Sequence, residues 1–347
     1  LRIGIIRLSS LGDIIVSVVF LPYLKKKYPD IEVHWFVDER FSQILEHSPC
    51  IDKIHKLPFK KIFHSFNPYQ FYKLYKTLKS YGEYDLIIDM QGLLKSAIVG
   101  KIIDKKRFVG FNKNSIREKV AAYFYDEGVD IAYEKNILER NAKVLFSAVG
   151  GFDVVLEGES HEHWVEEVSK NRSEAFGFTQ ASQSKIASLG VFDGSKKTIL
   201  FILEASIESK TYPIAQYVEL AKLLKNENTK ILLPWKGNPQ KAQEVFAQIH
   251  TFIDALVLPE LSQDELKALI SKVDVVIGGD TGVTHLGWAM GRPSITLYGN
   301  TPIERLKVIG ERNISLSGNL NANCDKNDFS IQNISAEEIF KSIRKIL

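Results

Sequence analysis

The run Val273 to Ile277, apolar and rich in β-branched residues, leads directly into Gly278-Gly279-Asp280-Thr281-Gly282-Val283-Thr284-His285, and helical composition then continues to Met290. Such a run reads as a strand buried on both faces, as happens in parallel sheets. The helix stops at Gly291-Arg292-Pro293, where proline bars continuation, and a second apolar strand, Ser294 to Tyr298, follows. Strand, glycine turn, helix and strand make the repeating unit of a doubly wound α/β sheet. That unit fixes much of the rest, with helices on both faces and ligands at the carboxyl ends of the strands.

Free N–H groups at the start of such a helix attract anions. Asp280 would repel a bare phosphate, and two readings of it stand side by side. In one it holds a ribose hydroxyl or orients the turn while His285 donates to a phosphate oxygen. In the other Asp280 is the helix N-cap and His285 a core residue.

The chain opens with the same logic. Arg2 to Leu8 reads as a strand, Ser9-Ser10-Leu11-Gly12-Asp13 as the turn, and Ile14 to Lys27 as a helix. Ile31 to Val37, Asp52 to Leu57, Tyr84 to Met90 and Arg107 to Phe111 read as further strands, the third of them ending in Asp89-Met90-Gln91-Gly92-Leu93-Leu94-Lys95-Ser96. Ser115-Ile116-Arg117-Glu118 has the form of a helix start, and Glu134 to Val149 that of a long helix. Beyond a polar stretch, strands at Thr198 to Leu203, Thr229 to Leu233 and Ala255 to Leu258 alternate with helices at Ile214 to Lys225, Gln240 to His250 and Gln263 to Ser271. An amphipathic helix, Ser335 to Ile346, closes the chain. The expected division is a Rossmann-like domain at 1–165, a linker region at 166–195, a second Rossmann-like domain at 196–330 and a terminal helix at 331–347.

Between Lys60 and Tyr84, Phe63, Phe66, Tyr69, Phe71, Tyr72, Tyr75 and Tyr81 are interleaved with Lys60, Lys61, Lys73, Lys76 and Lys79. Such a pattern can stack nucleic-acid bases. The helical spacing of Tyr72, Tyr75 and Leu78 favours a packed amphipathic helix instead, so no nucleic-acid partner is expected. Charge divides unevenly along the chain: residues 1–150 carry 24 Lys and Arg against 17 Asp and Glu, and residues 151–347 carry 21 against 25. The basic first part suits an anionic partner. Two cysteines, Cys50 and Cys324, make no disulfide framework and fit a reducing compartment. Ile14 to Leu24 lacks a basic segment before it and falls short of the roughly 18 apolar residues of a spanning helix, so it reads as a core helix.

Four stretches in this order, Arg-Ile-Gly-Ile-Ile-Arg-Leu-Ser-Ser-Leu-Gly-Asp-Ile, Asp-Met-Gln-Gly-Leu-Leu-Lys-Ser-Ala, Glu-Ser-Lys-Thr-Tyr-Pro and Gly-Asp-Thr-Gly-Val-Thr-His-Leu-Gly-Trp-Ala-Met-Gly-Arg-Pro, resemble the lipopolysaccharide heptosyltransferases of glycosyltransferase family 9. Within that family the likeness is greatest to the enzymes that add the first heptose, heptosyltransferase I. The alternatives are heptosyltransferase II, which adds the second heptose, and a non-catalytic protein of the same fold that binds an adenine nucleotide or glycolipid.

The resemblance implies a GT-B architecture, two Rossmann-like domains facing across a cleft, the first binding acceptor and the second nucleotide sugar. It implies inverting transfer of L-glycero-D-manno-heptose from ADP-heptose to Kdo of Kdo-lipid A, by a cytoplasmic enzyme at the inner face of the inner membrane, with no cofactor required and divalent-ion dependence left open. The resemblance makes Asp13 the general base and Lys210 the diphosphate-binding cation. Ser10, Gly12, Ser206, Trp235, Gln240, Leu261, Asp280, Thr281, Gly282 and His285 become donor-site residues. Lys60, Lys61, Gln91, Arg117 and Arg140 become acceptor-site residues, where arginine can pair with a carboxylate or phosphate. The family carries Thr where Ala205 stands, and Glu for the ribose where Gln240 and Lys241 stand.

Overall fold

The structure, a computed structural model, describes residues 1–65, 67–150, 161–192 and 194–347. The side chain of Phe63, and Phe66 altogether, lie outside the described residues. The chain divides into two compact units, Leu1–Gly177 and Phe178–Leu347, a division that falls within 166–195.

In the first unit, six parallel strands take the order β3-β2-β1-β4-β5-β6. They are β1 (Arg2–Ile6), β2 (Glu32–Asp38), β3 (Lys53–Leu57), β4 (Leu86–Asp89), β5 (Phe108–Phe111) and β6 (Glu127–Val129). The helices are α1 (Leu11–Val18), α2 (Leu21–Lys27), α3 (Phe59–Ser65), α4 (Pro68–Lys79), α5 (Leu94–Ile102), α6 (Ile137–Ala148) and α7 (His161–Val168), with a 3-10 turn at Lys119–Phe124. The expected helix 14–27 is two helices. Pro22, in the first turn of α2, cannot donate back into α1, and the chain bends at Val19-Phe20. The expected helix start at Ser115–Glu118 moves to Lys119, because the Glu118 carboxylate instead accepts the backbone N–H of Leu94 at 2.7 Å.

One face of this sheet is sealed by a cluster in which Ile6, Phe36, Leu57, Ile87 and Phe108 of the strands meet Leu78 of α4, Val99 of α5 and Phe124 of the 3-10 turn. At its margin the two buried histidines His34 and His55 are hydrogen-bonded to each other at 3.1 Å and to the Tyr84 hydroxyl at 2.7 and 3.0 Å. Burial, and then its histidine neighbour, hold His55 down to about 3.

The second unit repeats the plan in the order β12-β11-β10-β7-β8-β9. Its strands are β7 (Lys197–Ile202), β8 (Thr229–Leu233), β9 (Asp254–Val257), β10 (Val275–Gly279), β11 (Ser294–Tyr298) and β12 (Asn313–Ser317), all parallel. Around them lie α8 (Gln180–Ser188), α9 (Ile214–Leu224), α10 (Gln240–Ile249), α11 (Gln263–Ile270), α12 (Gly282–Ala289), α13 (Ile303–Leu306) and α14 (Ala336–Ile346). The terminal helix seats Ile339, Ile343 and Ile346 in the core that Phe201, Leu220, Ile231 and Ile277 share. Ser335 caps its start through the Glu338 N–H, and Arg344 and Lys345 end it, as the dipole favours.

In each sheet the first strand lies between its successor and a strand from later in the unit, so the order reverses beside β1 and beside β7. Ligands of open α/β sheets gather outside the carboxyl ends of the strands at such a reversal. Among the described residues no helix is long and apolar enough to cross a membrane.

Candidate active site

At the first reversal, β1 gives way to Arg7 and Leu8, both buried, and then to the serine pair before α1. Asp13 sits in the first turn of α1, where a carboxylate is favoured by the exposed N–H groups. Its Oδ2 accepts from the Ser10 backbone N–H at 3.1 Å and from the Ser10 hydroxyl at 2.8 Å, and its Oδ1 pairs with Arg7 Nη2 at 2.8 Å. The other arm of Arg7 donates to the Met90 carbonyl after β4. Burial pushes the Asp13 carboxyl up, but the Arg7 charge and the Ser10 hydrogen bonds outweigh it and hold the group below the usual carboxylate range. About a third of the side chain stays exposed. The result is an ionised carboxylate, fixed at two points and open at one side.

The loop after β4 closes on the same place. Gln91 Oε1 accepts the Leu8 N–H at 2.8 Å, and its Nε2 donates to the Ser9 hydroxyl at 3.3 Å. Lys95 Nζ donates to that hydroxyl at 3.1 Å. Gly12 lies in the first turn of α1. Asp89 is fully buried and carries the loop: its Oδ1 takes the N–H groups of Gln91 and Gly92, and its Oδ2 the Tyr125 hydroxyl at 2.8 Å.

The acceptor candidates are spread more widely. Arg117 and Lys60 are exposed. Lys61 is exposed too and paired with Glu39 at 2.9 Å. Arg140 departs from its expected role. It is buried, and its guanidinium donates to the carbonyls of Ser115, Ile131 and Ala132 while lying over the rings of Phe111 and Tyr133. Those inward bonds make it a brace that holds the loop after β5 against the loop after β6.

At the second reversal, Lys210, on the 3-10 turn Glu208–Lys210 that follows β7, meets Asp280, which follows β10. The ammonium bonds Asp280 Oδ2, and Asp280 Oδ1 is 2.8 Å from His285 Nε2. Burial pushes Asp280 up; the His285 hydrogen bond and the Lys210 charge overcome it and hold the carboxyl well below its ordinary value. Of the earlier readings of this turn, the N-cap role of Asp280 is thereby overturned. Thr281 occupies the N-cap of α12, and Asp280 reaches sideways to lysine and histidine. His285 is buried, and its Nδ1 has no hydrogen-bond partner among the described residues.

The glycine pair is required by close approach. A Cβ on Gly279 would lie 2.0 Å from the Lys210 carbonyl oxygen, and one on Gly278 would lie 2.6 Å from the Ile202 side chain. Only bare backbone lets the lysine turn lie against the end of β10. Asn300, after β11, braces that turn from beneath by donating to the Ser209 hydroxyl at 3.1 Å.

Of the other donor-site candidates, Ser206 and Gln240 are exposed, Thr281 and Gly282 half-buried, and Leu261 buried. Trp235, at the end of β8, is pinned by its Nε1 donating to the Leu258 carbonyl at 2.6 Å. Lys241 pairs with Glu208 at 3.5 Å. Two members of the first cluster were missed in the sequence. Arg7 had a signal, a charge inside an apolar strand, and Lys95 stood within a quoted motif. The contact of Arg7 to Asp13 is local, across the turn between β1 and α1, whereas that of Lys95 to Ser9 depends on the pairing of β1 with β4.

Residues 71–334 match the model of glycosyltransferase family 9 (heptosyltransferase). The chain is 34% identical over 358 residues to lipopolysaccharide heptosyltransferase 1 of Campylobacter coli, covering 100% of this chain and 99% of that one. It is 25% identical to the protein of the same name from Salmonella typhimurium, over 99% of this chain and 100% of the relative. Its fold matches that of E. coli heptosyltransferase WaaC, solved with ADP-2-deoxy-2-fluoro heptose, at a TM-score of 0.77 over the full length of both, with 20% identity. On the family match and the full-length likeness to the Campylobacter protein, this chain belongs to glycosyltransferase family 9, the heptosyltransferases.

Proposed function

We propose that this chain is a heptosyltransferase I that moves L-glycero-D-manno-heptose from ADP-heptose to Kdo of the lipopolysaccharide inner core, in one displacement that inverts the anomeric centre. In this reading the first unit binds the acceptor and the second the donor. Asp13 takes the proton of the acceptor hydroxyl as that oxygen bonds to the anomeric carbon; the bond from this carbon to the phosphate oxygen breaks with its electron pair, and ADP leaves. Positive charge that builds on the sugar ring is met by the carboxylate's negative charge. Lys210 and the first N–H groups of α12 meet the charge growing on the diphosphate.

The ammonium has three donors, so it can stay on Asp280 and still reach a phosphate oxygen. Asp280 then acts as a tether that fixes the direction of Lys210. Trp235 and Leu261 line the adenine side, Gln240 offers its amide to the ribose, and Ser206, Thr281 and His285 complete the diphosphate and sugar contacts. Ser10 and Gly12 border the base. Lys60, Lys61, Gln91 and Arg117 serve the carboxylate and phosphates of the acceptor, which is reached from the cytoplasmic face of the inner membrane.

The observation that carries this reading is the chemistry of the two strand reversals. One holds an ionised, partly open carboxylate, and the other a lysine tethered beside a helix N-terminus. The test is ADP release from ADP-heptose with Kdo-lipid A. Wild type should turn over only with acceptor present, Asp13→Asn should lose at least about a hundredfold in kcat, and Lys210→Ala should lose about a hundredfold or more in kcat/KM. The product's anomeric configuration, read by NMR, checks inversion. Wild-type turnover in the Asp13→Asn variant would remove Asp13 from the chemistry.

A further inference from the structure

Helix α4 departs from what its spacing predicted. Tyr72 and Tyr75, expected to pack, are about half exposed, and Tyr69 is 70% exposed; only Leu78 is buried. The anomaly extends to its neighbours. Among the described residues, every exposed large hydrophobic lies on α4, α5 or the turn Lys119–Phe124, apart from Leu1, Leu347, Leu320 and Phe329. Ile98 on α5 and Val120 and Tyr123 on the turn stand out, Tyr123 at 80% exposure.

These three elements form one layer. Leu78, Val99 and Phe124 pack on the same core cluster, so the opposite sides of the elements present outward together. Their charge is one-sided. Every charged residue within them is a lysine: Lys73, Lys76 and Lys79 on α4, Lys95 and Lys101 on α5, and Lys119 on the turn; of these, Lys95 turns to Ser9 and Lys79 pairs with Asp104 at 2.5 Å, which leaves Lys73, Lys76, Lys101 and Lys119 to the outward face. A face that mixes exposed tyrosines, aliphatic side chains and lysines without a carboxylate within its elements is disfavoured as a plain water-facing surface. It has the composition of a helix face lying at the boundary of an anionic bilayer, with phenol rings at headgroup depth, aliphatic tips in the acyl region and ammonium groups on lipid phosphates.

We infer that α4, α5 and the Lys119–Phe124 turn form the surface by which this protein lies on an anionic lipid leaflet. The inference deepens the proposed function, resting on its reading of a membrane-borne acceptor, and assigns the contact to one face of the first unit. Bases could stack on the tyrosines, but Ile98 and Val120 offer no stacking plane, and the face carries them alongside the rings.

The test is sedimentation of the full-length protein with vesicles of phosphatidylethanolamine and phosphatidylglycerol, against vesicles of phosphatidylcholine alone. Each basic side chain near an anionic leaflet is worth roughly fivefold in partition. Binding should therefore favour the anionic vesicles by at least about tenfold and fall with salt. The charge reversal Lys73→Glu/Lys76→Glu and the separate triple change Tyr72→Ser/Tyr75→Ser/Tyr123→Ser should each reduce it about tenfold or more, with unchanged circular dichroism. All the altered side chains lie on the surface, and transfer to a water-soluble, deacylated Kdo acceptor should stay at the wild-type rate. Equal binding to both vesicle types, or no loss in either variant, overturns the inference. So does a face occupied by single-stranded RNA in preference to anionic vesicles, or a dimer that both variants dissolve. Vesicle binding without any transfer to the soluble acceptor would sink the proposed reaction and leave the lipid-facing surface standing.

Discussion

Asp13 and Arg7 are six residues apart in sequence and joined by an ion pair of 2.8 Å. Because the pair holds the carboxyl below its ordinary value, a reaction that uses Asp13 as base should keep its full rate across neutral pH and fail only in strong acid. Removing the guanidinium works in the opposite direction. With Arg7→Met, burial is no longer offset, the carboxyl rises, and the acid limb of kcat/KM should move up by roughly one to three pH units. A pH profile of both enzymes checks this, and an unmoved limb would mean that Arg7 does not set the ionisation of the group that limits the rate. Chemistry of this kind is only half legible in a sequence. Asp13 and Lys210 stand out through motifs, whereas the tether on Lys210 comes from Asp280, seventy residues away, and no local spacing reveals which lysine a buried carboxylate will meet.

Among elements, strands buried on both faces were easiest to read, because a continuous β-branched run leaves little choice. Of the four edge strands, β3 and β9 were legible and β6 and β12 were not. β6 is three residues with a glycine in the middle, and β12, Asn-Ile-Ser-Leu-Ser, has the polarity of a loop; each is set by the neighbour it pairs with. The break between α1 and α2 was visible in Pro22, but the apolar composition on both sides of it concealed the turn. In the second unit the junction of β10 with the lysine turn is the tightest backbone approach at the site. Gly279→Ala would put a methyl group 2.0 Å from the Lys210 carbonyl oxygen, so the turn must shift. The expected cost is about 1–3 kcal/mol of stability, together with at least a tenfold loss of ADP affinity through the displaced lysine. Thermal denaturation and calorimetric titration with ADP measure the two separately. Unchanged values for both would show that the junction has slack.

At the scale of the molecule, each unit carries its own sheet and core, and the first contains a built-in sensitivity to acid. His55 titrates near its ordinary 6.5 when unfolded and is held to about 3 by burial when folded. The unfolded chain therefore binds more protons below pH 6.5, and folding stability falls as the pH drops from 6.5 towards 3, by about 1.4 kcal/mol per pH unit for one such group. Urea denaturation at pH 7 and pH 5 should show a loss of about 2 kcal/mol in wild type, and a clearly smaller loss in His55→Gln, whose amide can still hydrogen-bond but cannot take up the proton. An equal loss in both would place the sensitivity elsewhere.

The long interval between Lys210 and Asp280 has a further consequence for how the protein is made. At roughly 5–20 residues per second of synthesis, the lysine leaves the ribosome about 4 to 14 seconds before its counter-charge, given their separation of 70 residues. Through that interval β7 lacks the strand that will lie on its other side. A nascent chain that stalls or is cut before β10 therefore carries the cation without the partner that aims it, and is born unable to grip its sugar donor.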